Sequence, residues 1–316
     1  MGRVHPHTLL FFASSVLMLV VGHDWGLYAQ AVKPLFEVAS VKSNPTTLSE
    51  FVQSKGGDRA AVLESIGIRT LPRGRLVAIF VTLRELILRA FDIKAYQLEG
   101  GPAWMNTAKF EIDARANRDA TEQELGAMLR ALLIDRFALR THTEVRQMRQ
   151  FELILARSDG RPGPSLKPTS SECLQEIDER RRNPGPRAPR PTAGSLEEMR
   201  VQMRTPECGV ESMRLTGPFR TYTMSGMPLS ALVARIDSEL SAPVINKTGL
   251  TGPFDVVLEF ESARPNPVTA GPLPDLDFQA VPLGFALQRQ LGLKLEEVKG
   301  PLDIVIIESA QQPTPD

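Results

Sequence analysis

The chain has 316 residues, of which 42% are hydrophobic. That is enough for real cores in one large domain or two small ones. Its 37 basic and 37 acidic residues cancel, which removes the electrostatic ground for expecting nucleic acid or an anionic membrane as a partner.

Residues 1–31 read as a secretory signal. Arg3 supplies a basic start, residues 9–21 are an apolar run, and Ala29-Gln30-Ala31 is a small-x-small cleavage pattern. The run is short for a span, which needs about 20 residues. An uncleaved anchor is the other reading. No later stretch is apolar enough to cross a bilayer, so no membrane span is expected after signal removal. The expected location is periplasmic or extracellular.

Phe36 to Val41 alternates as a strand, and residues 44–74 are polar with turn signals at Gly56-Gly57-Asp58 and Pro72-Arg73-Gly74. Residues 76–81 are a second strand. Thr82-x-x-Glu85 is a capping box that opens a helix, with Leu83, Leu86, Ile87, Ala90 and Phe91 on one stripe. Phe110, Ile112 and Ala114 line one face of a strand. Thr121-x-x-Glu124 opens a second helix, with Leu125, Met128, Leu129 and Leu132 inward. Residues 137–143 and 151–156 are predicted as a strand pair.

The same order then returns. Residues 220–224 are a strand, and Leu229, Leu232, Val233, Ile236 and Leu240 form a helical stripe. Phe254, Val256, Leu258 and Phe260 alternate. Pro282 suits a first helical turn, followed by Leu283, Leu287 and Leu291. Residues 293–298 and 302–308 are closing strands. This internal repeat fixes the architecture before any chemistry is considered. The predicted fold is α+β: two related units, each a small, largely antiparallel sheet with helices on one face. The predicted units are 32–157 and 219–310, with a frayed tail at 311–316. Residues 158–218, rich in Pro and Arg, are predicted to be a linker, with a short helix near 196–203.

Cys173 and Cys208 flank the most irregular part of that linker. In an oxidising compartment they suggest a disulfide; two free thiols are the alternative.

Five stretches together carry a family resemblance: Phe36-Glu37-Val38-Ala39-Ser40-Val41-Lys42; Gly101-Pro102-Ala103-Trp104 with Phe110-Glu111-Ile112; Leu132-Leu133-Ile134-Asp135-Arg136-Phe137; Lys247-Thr248-Gly249-Leu250-Thr251-Gly252 with Phe254-Asp255; and Gln290-Leu291-Gly292-Leu293-Lys294-Leu295. In this order the mature chain resembles the soil-associated secreted protein family, a domain of unknown function expanded in Acidobacteria. The resemblance implies an extracytoplasmic sensing or interaction role and brings no catalytic residue, cofactor or metal with it.

The residues themselves offer little chemistry. Lys247-Thr248-Gly249 matches the third motif of serine β-lactamases, but the chain has no Ser-x-x-Lys. The stretch reads more simply as a turn into the strand at Phe254. Triad chemistry would have to use His142, the one histidine after residue 31, which alternation places on an outward face. Glu111, Asp113, Asp255 and Glu259 fall on outward strand faces. Trp104 lies in a loop signal and either plugs the core or offers a ring to a ligand or partner. The arginines at 180, 181, 182, 187 and 190 form a solvated loop or a contact for anionic polymers.

We therefore assign no catalytic, cofactor-binding or metal-binding residue. The expected function is a non-enzymatic interaction module with an unknown envelope or extracellular protein as partner. An envelope hydrolase with a carboxylate site and an extracytoplasmic small-molecule sensor are the alternatives.

Overall fold

The computed structural model describes residues 35–313, apart from Gly57, 186–194, Gly217 and 263–280. The signal-like residues 1–31, the Pro-rich stretch at 263–274, Arg187 and Arg190 thus lie wholly or mostly outside the described residues.

The fold is α+β, and the described residues form three four-stranded sheets. In the first sheet, β1 (Val38–Asn44) pairs with β5 (Lys109–Arg115), β5 with β3 (Arg75–Thr82), and β3 with β2 (Gly67–Leu71), all antiparallel. The third sheet follows the same plan. There β7 (Leu166–Pro168) pairs with β11 (Pro253–Glu261), β11 with β9 (Phe219–Pro228), and β9 with β8 (Glu211–Thr216). The helices correspond too. In the first half, α1 (Leu48–Ser54) and α2 (Arg59–Ser65) lie between the outer strands, and α3 (Leu83–Phe91) and α4 (Glu122–Arg136) follow β3 and β5. In the second half, α5 (Ser171–Arg182) and α6 (Leu196–Arg204) take the place of α1 and α2. There α7 (Leu229–Leu240) follows β9, and α8 (Leu283–Ala286), extended by a π-turn over Leu287–Leu291, follows β11.

Both predicted capping boxes are present. Thr82 Oγ1 accepts from the Glu85 amide and Thr121 Oγ1 from the Glu124 amide, while each glutamate accepts from its threonine's N–H. Leu83, Leu86, Ile87 and Ala90 are buried, as their spacing predicts. Residues 44–74 hold three elements that polar composition hides. α1 has its own capping box at Thr47 and Glu50, and α2 is capped by Asp58. These helices bury only Phe51, Val52 and Val62, too few for a visible helical period. Phe51 stacks on Phe80, with ring centroids 4.7 Å apart.

Residues 158–218 likewise carry β7, α5, α6 and β8. Composition suggests a linker because most of these side chains face solvent, yet Leu166, Cys173 and Met203 are buried. The segment starts by crossing the π-turn: the Gly163 N–H donates to the Leu291 carbonyl. A Cβ on Gly163 would come within 2.5 Å of the Gln290 carbonyl oxygen and the Gly292 nitrogen, so only glycine allows this approach.

The middle sheet joins the halves. Its order is β10 (Val244–Asn246), β6 (Arg140–Leu155), β12 (Leu293–Ser309), β4 (Leu98–Gly100). The expected strand pairs at 137–156 and 293–308 are instead single long strands. β6 and β12 run antiparallel to each other, from Leu155↔Leu293 to Arg140↔Ser309. No Gly or Pro turn interrupts β6. In β12, Gly300-Pro301 looks like a turn in sequence but stays extended, with the Gln150 side chain donating to the Pro301 carbonyl. The parallel strands β4 and β10 cap opposite ends of this ribbon, β4 against Val305 to Ile307 and β10 against Phe151 to Leu153.

β12 serves both cores, while β6 packs into the second. Val305 and Ile307 of β12 pack with α3, α4 and the first sheet. Leu153 of β6 and Leu293 of β12 pack with α7, α8 and the third sheet.

Candidate functional site

The second half has a polar cluster at the edge of its sheet. Asp255 on β11 accepts hydrogen bonds at one oxygen from Thr169 Oγ1 (2.8 Å), Ser225 Oγ (2.7 Å) and the Gly226 N–H (3.2 Å). Ser225 Oγ is also 3.3 Å from Cys173 Sγ. This differs from the expected solvated outer face, because α5 and α6 cover the sheet here. Arg204 of α6 forms a bidentate pair with Glu259, both bonds 2.8 Å. The covered side of β9 carries Thr221, Thr223 and Ser225, all buried. Donors that converge on one carboxylate oxygen hold the strands, the bulge at Gly226 and the first turn of α5 together. In the first half, Glu111 accepts from Asn44 and Asp113 pairs with Arg75, which holds the Asp113 carboxyl below the usual range.

Cys173 in α5 and Cys208 before β8 stand at disulfide distance, with Cα atoms 5.5 Å apart. If they are bonded, the crosslink closes a separation of 35 residues, worth about 3–4 kcal/mol in the chain-entropy model. Reduction is then expected to lower the melting temperature by roughly 10 °C. A thiol assay on the unfolded, unreduced protein gives the direct check, and two free thiols would refute the bond.

His142 lies on β6, exposed, in a network that runs across the middle sheet. Its Nδ1 is 2.7 Å from a Glu308 oxygen and its Nε2 is 3.2 Å from a Glu144 oxygen. Arg146 bonds Glu144 and also reaches Glu99 on β4 at 2.8 Å. Glu144, then Glu308, raise the His142 pKa above 6.5. Arg146, then His142, hold Glu144 below its ordinary value. The sign follows from linkage: a raised pKa favours the protonated folded state. His142 therefore contributes stability below about pH 6.5, and the contribution is lost as pH rises through the raised value. An NMR titration of this histidine is expected to show a midpoint above 6.5, and the Glu308→Gln variant a lower one. A midpoint at or below the model-peptide value would refute the network.

Trp104 sits in a short 3-10 turn (Ala103–Asn106) and is half-buried against the first core. Its ring meets Phe110 edge-on, with centroids 6.2 Å apart. One side of the indole is thus committed to packing. Lys247-Thr248-Gly249 forms the turn from β10 to β11. Thr248 donates to Asn246 Oδ1 through both its amide and its hydroxyl, and its hydroxyl accepts from the Leu250 amide. Those bonds occupy Thr248 structurally. Arg180, Arg181 and Arg182 are the last turn of α5, and Arg180 donates to the Cys208 carbonyl.

Two grooves open on the first half. One, of about 510 Å³, lies between the start of β1 and α4 and is lined by Leu35, Phe36, Met128, Leu132 and Ile134. The other, of about 600 Å³, is lined by Arg89, Phe91, Glu122 and Arg130 at the ends of α3 and α4. Arg130 lies over the Phe91 ring at 5.3 Å. Among the described residues, no cluster of three or more His, Cys, Asp or Glu could hold a metal ion, and no helix is long and apolar enough to cross a membrane.

No curated protein and no solved structure matches the chain. A family model described as "Protein of unknown function (DUF3738)" matches residues 84–310. That stretch runs from the first turn of α3 through the end of β12, so it takes in the whole middle sheet and the second core, and leaves out β1, β2 and β3 of the first sheet. By that match, the chain belongs to the DUF3738 family.

Proposed function

We propose that the chain is exported and acts outside the cytoplasm as a non-enzymatic interaction module, recruiting an envelope or extracellular protein through a sheet edge. The observation that carries this is the two-stranded middle of the central sheet. β10 covers only Phe151 to Leu153 on the outer edge of β6, and β4 only Val305 to Ile307 on that of β12. Among the described residues, long stretches of both edges have no neighbouring strand. Such edges take up extended segments by β-augmentation. The signal-like residues 1–31 and the cysteine pair support export. The resemblance to soil-associated secreted proteins agrees with it.

In-cell crosslinking of the tagged mature protein, followed by mass spectrometry, tests this reading. One dominant envelope or extracellular partner is the expected outcome. A mature protein retained in the cytoplasm, or the absence of any reproducible partner, would sink it.

A further inference from the structure

The two ribbon edges, each without a long neighbouring strand among the described residues, are related by the internal repeat but are protected differently. β4 begins opposite Val305 of β12 and β10 begins opposite Phe151 of β6, so these two positions correspond. Counting back along each strand, Val145 of β6 corresponds to Lys299 of β12, and Gln147 to Pro301. On β12 the edge is guarded over Lys299 to Asp303 only, and the stretch before Lys299 stays open to a partner. Pro301 has no N–H to offer, Lys299 is charged, and the Asp303 carbonyl accepts from the Gln97 side chain. Lysine and proline are common devices against edge-to-edge pairing. The β6 edge has neither at the matching positions. Instead it presents Val145, 68% exposed, the most exposed large apolar side chain on the described surface.

The backbone direction on this edge follows from the register. The Phe151 N–H and the Leu153 carbonyl point outward, bonding the Pro243 carbonyl and the Lys247 N–H. The β6–β12 register is unbroken from Leu155 back to Thr141. The outward groups therefore belong to alternate residues, Thr143, Val145 and Gln147 among them.

We propose that this edge pairs with the same edge of a second copy of the chain, antiparallel and centred on Val145. The sequence Thr143-Glu144-Val145-Arg146-Gln147 is self-complementary in that register. Val145 falls opposite Val145 of the second copy and exchanges both backbone bonds with it. Glu144 falls opposite Arg146, twice, and Thr143 opposite Gln147, twice. A two-fold contact of this kind is closed and self-limiting, and its cross-strand pairs are apolar at the centre with opposite charges on either side. The two middle sheets would then form one continuous sheet.

The inference rests on the reading of ribbon edges as recognition surfaces, but it is tested apart from any partner screen. Analytical ultracentrifugation of the purified mature protein is expected to show a concentration-dependent dimer. Val145→Pro removes one outward N–H without touching the bonds to β12, so it is expected to leave melting unchanged and raise the dimer dissociation constant more than tenfold (about 1.4 kcal/mol or more). Val145→Lys keeps the N–H and is expected to weaken the dimer in the same direction, which covers the case in which the proline variant misfolds. Lys299→Pro on the other edge should leave the dimer intact. A mature protein that stays monomeric, a dimer indifferent to both Val145 variants, or a monomer that takes an unrelated protein's strand at this edge would overturn the proposal. A failed crosslinking screen for envelope partners would leave it standing.

Discussion

A chain that stops after Gly292 is expected to lose both cores together. Without β12, Leu293 and part of Leu295 are missing from the second core, and Val305 and Ile307 from the first. At about 1.5–3 kcal/mol for each fully buried aliphatic side chain, the deficit is roughly 6–10 kcal/mol. That is comparable to the whole stability of a typical domain, about 5–15 kcal/mol. The inner edge of β6 would also lose its hydrogen-bonded partner over its whole length. Trp104 makes the outcome readable, because it is the one tryptophan after residue 31 and reports on the first core alone. The truncated protein is expected to show red-shifted, solvent-like Trp104 emission and no cooperative melt by circular dichroism. Emission that stays blue and melts cooperatively would mean that the first half folds alone, and would refute the shared-strand account.

Phe110→Ala is expected to be the most damaging single truncation in the first half. Phe110 is 1% exposed and stands between two aromatic rings, Trp104 at 6.2 Å and Phe137 at 5.0 Å, both edge-on. Removing it leaves a cavity between two rings that cannot both close in. Phe→Ala in a core costs about 3–5 kcal/mol, with each lost edge contact adding to the upper end. The melting temperature should fall by roughly 10 °C, and Trp104 emission should shift in the folded state as well. Phe285→Ala, on a ring 49% exposed, is the control, and should change stability by less than about 0.5–1 kcal/mol. Equal losses at the two sites would show that Phe110 is not held as described. The two variants are far apart in sequence and belong to different halves, so their effects should add.

Strong amphipathic periods made much of this fold legible in the sequence. The stripe Leu83, Leu86, Ile87 and Ala90 and its capping box gave α3, and the alternation of Phe254, Val256, Leu258 and Phe260 gave β11. Elements that bury one or two residues did not register. α1 and α2 rely on Phe51, Val52 and Val62, and β7 on Leu166, so polar composition masked the first part of both repeats. The repeat is legible from β3 and β9 onward; of its first part, only β1 shows in the sequence, as the alternating run Phe36 to Val41. In sequence the long strands β6 and β12 each look like two strands. Their middles, such as Thr143 to Arg149, are polar because neither core reaches them. A strand between cores has no apolar alternation to read. Nothing local in the sequence says that Val305 belongs with Phe110 and Leu293 with Phe254, since that depends on which end of a ribbon each residue occupies. Of the candidate site residues, the facing of Cys173 and Cys208 was legible from their flanking of an irregular stretch. The covering of Asp255 and Glu259 was not, because it depends on α5 and α6 lying over the sheet.

The pairing of β6 with β12 also sets a clock on synthesis. Arg140 waits for Ser309, and Leu155 for Leu293. A ribosome adding about 5–20 residues per second leaves that interval open for roughly ten to thirty seconds. Throughout it, the first half has a hydrophobic face with no closing strand. Such long-range closure is slow for any chain. Under the export proposed above, the delay would be useful: the chain would stay threadable until β12 is made.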